Sequence, residues 1–315
     1  MRKPEAPLFN DPIFNGAADP TIFWNHEEKQ WWIVYTQRMH SAPGPGTTPI
    51  HGSKLGVASS PDGHDWLYRG TLEGLEFEHG HNTWWAPEII HYKNKYHMYA
   101  SYVQGMPVNW ERPRTIIHYT SLNGWEWKFE SKLELSSDRV IDACVAKLPS
   151  GQWRMWYKDE RHGSHSYCAD SYDLYNWEVV GCSVDMDAHE GANVFEYAGS
   201  WWLIADLWRG QGVFQSEDGL EWEYSGMILD KPGKREDDQS FGHHADVLVI
   251  GDEAYIIYFT HPVRPEGWKK GMPLDPSYKR TSLQVGRLHR QGDTLVCNRD
   301  EEYDFILPNG ESILD

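Results

Sequence analysis

A strand–turn–strand unit recurs five times along the chain and constrains the fold more than any other feature. In the clearest copy, residues 189–206, one apolar run ends at Ala198-Gly199-Ser200, where glycine supplies turn geometry, and a second buried run follows. The other copies are residues 19–35, 85–99, 142–157 and 244–259. Successive copies are roughly 50 to 70 residues apart, a period that indicates a propeller or another strand repeat.

A second motif, a tight turn followed by Trp, lies between these hairpins at residues 60–66, 121–127, 171–177 and 216–222. Asp-Gly and Asn-Gly are hairpin turn signals, and each following Trp is predicted to open an outer strand and wedge between neighbouring units. Each unit then has two hairpins, or four antiparallel strands, which make one blade. We predict an all-β, five-bladed β-propeller that spans residues 1–315 as a single domain. The fifth unit lacks the Asp-Gly-Trp copy.

The amino-acid composition indicates which kinds of partner the protein binds and where in the cell it works. The net charge of −18 disfavours nucleic acid and anionic membranes, because both need clustered Lys and Arg. The 17 Trp and 17 Tyr exceed ordinary usage, so some of them are expected to line a sugar-binding cleft. No apolar run approaches the ~20 residues of a membrane span. Residues 1–7 lack the apolar core of a secretory signal, and the four cysteines lack paired metal spacing, so we expect reduced thiols and a cytoplasmic location.

Residues just ahead of the innermost strands of a propeller converge on one mouth of its central channel. In blade order these residues are Asp19, Trp85 or Glu88, Asp142, Glu190, and His243 or His244. Three carboxylates in one small space repel each other, so at least one pKa should rise. A protonated acid beside an ionised base suits hydrolysis of a glycosidic bond.

The same motifs resemble those of glycoside hydrolase family 43, in order and in all five blades. They are Asp19-Pro20, Trp84-Trp85-Ala86-Pro87-Glu88-Ile89, Asp142, Glu190-Gly191 and Gly242-His243. The family inverts the anomeric centre and mostly removes arabinofuranose or xylose. The resemblance implies that Asp19 is the general base, that Glu190 is the general acid, and that Asp142 raises the pKa of that acid and orients it. It also implies that His243 lies in the central channel beside a calcium ion or water.

Further side chains are predicted to contact substrate: Trp85, Glu88, Trp208, Arg209 and His189. The structural alternatives are that the Trp rings pack in the core and that Glu88 pairs with Arg209. For His243 the alternative is an ordinary packing residue. His189 also competes with Glu190 for the acid role. No organic cofactor is expected, and calcium near His243 is the one ion considered.

The predicted function is an inverting exo-glycosidase that acts on small arabinofuranosides or xylosides derived from plant polysaccharides. Inversion predicts carboxyl groups of the base and the acid roughly 6.5–9.5 Å apart, against about 5 Å for retention. One alternative is a retaining fructosidase-like hydrolase, since Asn10-Asp11-Pro12 echoes that group, although Ile141 replaces its arginine. The other is a non-catalytic sugar-binding propeller. Ala143 and Ala192 depart from the family pattern, so the identity of the sugar is not predicted. The sequence does not predict the oligomeric state either. Specificity is expected from segments 39–53, 102–113 and 262–278.

Overall fold

The computed structural model describes residues 1–264 and 275–312. These residues form twenty strands, which are arranged as five four-stranded antiparallel sheets. The blades are, in order, β1 (Ala17–Asn25), β2 (Gln30–Gln37), β3 (Lys54–Ser60) and β4 (Leu67–Thr71); β5 (Thr83–Tyr92), β6 (Lys95–Val103), β7 (Thr115–Ser121) and β8 (Lys128–Lys132); β9 (Val140–Lys147), β10 (Trp153–Asp159), β11 (His165–Ser171) and β12 (Glu178–Val184); β13 (Glu190–Tyr197), β14 (Ser200–Asp206), β15 (Gln211–Ser216) and β16 (Glu223–Ile228); β17 (His243–Ile250), β18 (Glu253–Thr260), β19 (Ser282–Gln291) and β20 (Thr294–Cys297). Three short 3-10 helices are η1 (Thr48–Ile50), η2 (Pro276–Lys279) and η3 (Gly310–Ser312). The predicted all-β, five-bladed propeller is confirmed.

The first strands of the blades form the inner ring. Each of β1, β5, β9, β13 and β17 contacts the first strands of both neighbouring blades, and β1 meets β17 where the ring closes. Within each blade, consecutive strands pair antiparallel in chain order. None of the helices in the described ranges is long and apolar enough to cross a membrane.

The hydrophobic core consists of layers between blades, not of one central core. Five clusters of buried apolar residues each join two adjacent blades, as Trp32 and Trp84 do between blades one and two. The Trp residues that follow the repeated turn pack into four of these layers: Trp66, Trp127, Trp177 and Trp222. The prediction that they wedge between blades is confirmed. A sheet that is apolar on both faces needs such a neighbour on each side, which is why the repeat folds as a ring.

The repeated turn has a local physical cause. Ser60 Oγ accepts the backbone N–H of Gly63 at 2.9 Å, and the indole N–H of Trp66 donates to the Gly63 carbonyl at 2.8 Å. The φ of Gly63 is +79°, a region that glycine enters without steric strain. The same pair of bonds recurs around Gly124 at 2.9 Å and 2.8 Å. The motif therefore fixes both the turn and the direction of the Trp that follows it.

Two stacked histidines inside blade two make the fold sensitive to acid. Nδ1 of His97 lies 3.0 Å from Nε2 of His118, and the rings are 5.2 Å apart and nearly parallel. Burial lowers the pKa of His97 to about 4 and that of His118 to about 3. Below the unfolded value of about 6.5 the unfolded chain binds protons that the folded chain does not, so stability falls progressively from pH ~6.5 towards 4.

We expect His118→Asn to reduce this pH dependence, because asparagine does not titrate. The free energy of urea unfolding, measured at intervals between pH 7 and 4, checks the prediction. His79→Asn is the control, because His79 is exposed. Equal slopes for His118→Asn and the unaltered protein would contradict the interpretation.

Candidate active site

A bulge at the mouth end of every first strand positions the predicted acids. In each blade one extra residue of the first strand opposes the second strand. The bulged residues are Asp19-Pro20, Ala86-Pro87, Asp142-Ala143, Gly191-Ala192 and His244. The φ angles are positive at Asp19 (48°), Ala86 (42°), Asp142 (60°) and Gly191 (59°). A bulge re-aims side chains and ends regular pairing, so equivalent positions of five blades face the channel mouth.

Neighbouring blades lock the bulges in place through side chains that accept backbone N–H groups. The donors and acceptors are Ala86 to Thr36 Oγ1 (2.8 Å), Asp142 to Ser101 Oγ (2.8 Å), Gly191 to Asp142 Oδ2 (3.2 Å) and His244 to Asp206 Oδ2 (3.1 Å). Each bond crosses from one blade to the next. These contacts satisfy N–H groups that the bulge removes from the strand ladder, so the mouth is built as one rigid ring.

Asp19, the predicted base, lies in a cationic environment at the edge of the mouth. Arg38 donates from Nη2 to both of its carboxylate oxygens, at 2.9 and 3.1 Å. The guanidinium carbon of Arg38 lies 4.7 Å from the centre of the Phe259 ring. Nδ1 of His244 is 3.8 Å from Asp19 Oδ1. A guanidinium held this way binds the ionised form of a carboxylate, which is the form that a general base requires.

Gly191 brings the acids of different blades close together. A Cβ atom at this position would lie 2.4 Å from the ring of His244, so only glycine permits the approach. The His244 ring therefore contacts the turns that carry Asp19 and Glu190. The Gly191 N–H also donates to Asp142. The structure thus brings Asp19, Asp142 and Glu190 together around His244, as the sequence predicted for the three acids.

The electrostatics of Asp142 and Glu190 differ from the expectation. Burial raises the pKa of Asp142 to about 7; the charge of Glu190 adds to this, and His244 and Lys158 oppose it. Burial would also raise the pKa of Glu190, but Lys158 and the Trp208 indole lower it to about 2. Nζ of Lys158 lies 3.0 Å from Glu190 Oε2. In the free protein the raised pKa thus belongs to Asp142, whereas the resemblance implied a raised pKa at the acid Glu190. The buried ammonium is the physical reason.

Trp208, which the sequence predicted to contact substrate, lies beside Glu190, and the substrate contact itself stays a prediction. Its ring is 44% exposed, and its backbone N–H donates to Asp206 Oδ1 at 2.7 Å. The ammonium of Lys158 is 5.2 Å from the centre of this ring. An exposed indole next to a buried charge offers a flat apolar face to a sugar.

Trp85 is buried, and a neighbouring ring forms the exposed wall. The Trp85 indole N–H donates to the Ile50 carbonyl at 2.6 Å, and its ring packs against His51 and Trp110. Trp110 is 39% exposed, against 7% for Trp85. Trp110 therefore presents the aromatic surface on this side, and Trp85 supports it. Trp110 lies in segment 102–113, which the sequence marked for specificity, but the side chain itself was not assigned a contact.

Glu88 belongs to a second ring, two residues further along the first strands: Thr21, Glu88, Cys144, Asn193 and Asp246. Glu88 is 9% exposed and accepts the Val145 N–H at 2.7 Å. Burial and the nearby charge of Asp246 raise its pKa to about 8. Its contact with substrate stays a prediction. The alternative pairing of Glu88 with Arg209 is wrong, because the Arg209 guanidinium donates to Asp187 at 3.0 Å in a largely exposed pair.

The predicted role of His189 as a substrate ligand or rival acid is wrong. His189 is fully buried. One ring nitrogen lies 2.7 Å from Ser166 Oγ, and the other lies 2.9 Å from the Asp187 carbonyl. Burial lowers its pKa. A ring with both nitrogens engaged by protein has no atom left for a sugar, so His189 anchors the start of β13.

His243 is surrounded by one carboxylate and by aromatic and imidazole rings. Its Nδ1 is 3.0 Å from Asp206 Oδ2, and its ring stacks on Phe259 beside His261. Calcium prefers six to eight oxygen ligands, and aromatic and imidazole groups do not supply them. Residues 1–264 and 275–312 contain no group of three or more His, Cys, Asp or Glu side chains that could hold a metal ion. The calcium ion stays a prediction, and nothing below depends on it.

Sequence reasoning missed Arg38, Lys158 and Glu160, and named His244 only as an alternative to His243. Lys158 carried a usable signal, because it directly follows Trp156 and Tyr157 in a strand that is buried along its whole length. A buried ammonium requires an acidic partner, and two lie within reach: Glu190, and Glu160 at 3.2 Å. Arg38 directly follows β2, and only the pairing of that strand with β1 brings it to Asp19. Most of segment 262–278 lies outside the described residues.

Searches against protein-family models and against curated proteins each return no match. Solved structures do match over nearly the whole chain. A thermostable family-43 glycoside hydrolase shares 19% identity with a TM-score of 0.71, over 94% of this chain and 99% of that one. A family-43 β-xylosidase/α-arabinofuranosidase from a compost microbial metagenome, in complex with xylotriose, shares 15% with a TM-score of 0.65, over 93% and 96%. A family-43 β-1,3-galactosidase with galactodeoxynojirimycin shares 12% with a TM-score of 0.67, over 94% and 98%.

The fold is that of family-43 glycoside hydrolases. At 12–19% identity, these likenesses establish the five-bladed architecture and its extent, since each covers at least 93% of this chain. The family that the sequence motifs resemble therefore has the same fold as this chain. What the chain does is argued next from its own residues.

Proposed function

We propose that the protein is a glycosidase that hydrolyses small oligosaccharides or glycosides with inversion of the anomeric centre. The observation that carries this proposal is the convergence of Asp19, Asp142 and Glu190 on one ring of bulges. Such a set provides an ionised carboxylate to activate water and a second carboxyl group that shares a proton with its neighbour. Fold likeness alone does not assign an activity, so the site carries the argument.

The environment of each acid supports a division of roles. Asp19 is held by Arg38, which favours the base role. Asp142 accepts the N–H of Gly191, the residue after Glu190, and of these two acids Asp142 has the raised pKa, so Asp142 is the proposed source of the proton that Glu190 passes to the leaving oxygen. The His244 ring lies against the turns of Asp19 and Glu190. The carboxyl separation of roughly 6.5–9.5 Å that inversion requires stays a prediction.

Arabinofuranosides and xylosides are the proposed substrates. The solved structures of similar fold include a β-xylosidase/α-arabinofuranosidase and a β-1,3-galactosidase, so hexosides belong in the same test. Two exposed indoles at the mouth, Trp110 and Trp208, supply flat apolar faces for sugar rings.

A panel of nitrophenyl pentosides and hexosides tests the proposal, followed by proton NMR of the first sugar released. We expect turnover of at least one pentoside and a first-formed anomer opposite to that of the substrate. Retention would instead support the fructosidase-like alternative. Sugar binding without turnover of any panel member, or of oligosaccharides of the same sugars, would support the sugar-binding platform.

A further inference from the structure

A buried chain of alternating charges leads from the exposed wall of the site to Glu190. The backbone carbonyl of Trp110 accepts a hydrogen bond from Arg114 at 2.8 Å, and Arg114 Nε lies 2.6 Å from Glu160. The other oxygen of Glu160 is 3.2 Å from the ammonium of Lys158, which is 3.0 Å from Glu190.

Three of the four side chains in this chain are well shielded from water, and the fourth, Glu190, is 27% exposed. Arg114 is 3% exposed, Lys158 6% and Glu160 18%. Buried ion pairs are screened little by salt, so each group in the chain strongly affects the protonation of the next. Trp208 covers Lys158 from the solvent side.

We propose that Lys158 is a positioning residue that holds Glu190 ionised in the free protein, so that Lys158 and its counter-ion Glu160 set the pH above which the site loses its proton donor. This inference rests on the function proposed above. Lys158 itself touches no reacting atom in this scheme. It acts through Glu190, and the proton of the Asp142–Glu190 pair stays on Asp142 until the Lys158 contact weakens.

The charged and titratable groups around the pair come from several elements. Glu190 faces Lys158 on β10, His244 on β17 and the indole of Trp208. Asp142 on β9 interacts with Glu190, with His244 and Lys158, and with Asp19 on β1. Burial alone would lower the pKa of Lys158, but Glu190, Glu160 and Asp142 together raise it. Lys158 is therefore charged at every pH at which the site works. The protonation of Glu190 then depends on how strongly Lys158 binds Glu190 and how strongly it binds Glu160.

The sharing of Lys158 gives two substitutions with opposite effects. Lys158→Met removes the cation, and the protonated form of Glu190 then persists to higher pH. Glu160→Gln removes the competing partner and a negative charge, so Lys158 binds Glu190 more strongly and protonation needs lower pH. Lys158→Arg keeps the charge and should resemble the unaltered protein.

The test is the pH profile of kcat/KM on the best glycoside of the panel. For Lys158→Met we expect the alkaline limb to move upward by roughly one to three pH units, since an opposite charge at this range lowers a carboxyl pKa by that amount. For Glu160→Gln it should move downward. Lys147→Met is the matched control, because this lysine of the same blade lies over Tyr92 and Trp153, away from the acids.

A second readout does not depend on turnover. The side-chain carboxyl carbon of Glu190, labelled with ¹³C-glutamate and assigned by its loss in Glu190→Gln, reports protonation directly. Its midpoint should rise in Lys158→Met, whereas in Glu160→Gln the group should stay ionised down to the lowest pH at which the protein is folded. An unchanged midpoint in Lys158→Met, or a raised one in Glu160→Gln, would overturn the inference even in an active enzyme. The expected midpoints in a protein that cleaves no glycoside would uphold the role of Lys158 and reject the proposed function.

Discussion

Asp19→Asn is expected to lower kcat on every glycoside substrate by about 10²–10⁴-fold, because an amide cannot take a proton from the attacking water. Asparagine tolerates a positive φ, here 48°, and keeps one acceptor for Arg38, so the fold should be preserved. Steady-state kinetics gives the loss. Titration of a sugar by tryptophan fluorescence should show that binding survives. Asp170→Asn is the control, since Asp170 on β11 pairs with Arg154 on β10, and neither residue contacts the three acids.

Glu190→Gln separates the acid role from the base role. A general acid matters most when the leaving oxygen is a poor leaving group, so this variant should lose far more activity on oligosaccharides than on nitrophenyl glycosides. Asp19→Asn should reduce both classes alike. If Asp19→Asn keeps turnover of the aryl glycosides, the assignment of the base fails. If Glu190→Gln loses no more activity on oligosaccharides than on aryl glycosides, the assignment of the acid fails.

The sequence was sufficient for the parts of the molecule that repeat. The hairpin unit and the turn with its Trp each occur in several copies, so the blade number and strand count followed from the spacing. The acids could be placed for the same reason, since Asp19, Asp142 and Glu190 lie near the start of the first strand of their blades. Pro20 and Pro87 mark two of the bulges in the sequence, because proline cannot donate to a strand ladder and is found at bulges or edges.

The protonation pattern could not be predicted, because it depends on contacts between residues of different blades. Lys158 and Glu190 are far apart in sequence and belong to blades three and four, and only packing brings the ammonium to 3.0 Å. That contact reverses the expected order of the two carboxyl pKa values. The error at His189 was avoidable. Adjacent side chains of a strand point to opposite faces, so a residue directly before Glu190 was expected to face away from it.

Asp238→Ala is expected to lower the free energy of unfolding by about 3–5 kcal/mol, because it leaves two buried guanidinium groups without their counter-ion. Asp238 is fully buried. It accepts hydrogen bonds from Arg235 at 2.8 Å and from the Tyr258 hydroxyl at 3.0 Å, and it lies 3.5 Å from Arg299. Burial raises its pKa, and the two arginines oppose that rise. Urea unfolding followed by tryptophan fluorescence measures the change.

Two further variants show whether burial is the reason for the loss at Asp238. Asp238→Asn keeps an acceptor for Tyr258 but removes the charge, so its loss should lie between that of alanine and none. Asp138→Ala breaks the pair with Arg161, in which both side chains are about half exposed. Solvent and salt weaken such a pair, so its unfolding midpoint should match that of the unaltered protein. Comparable losses for Asp138→Ala and Asp238→Ala would contradict the argument that burial makes the loss at Asp238 large.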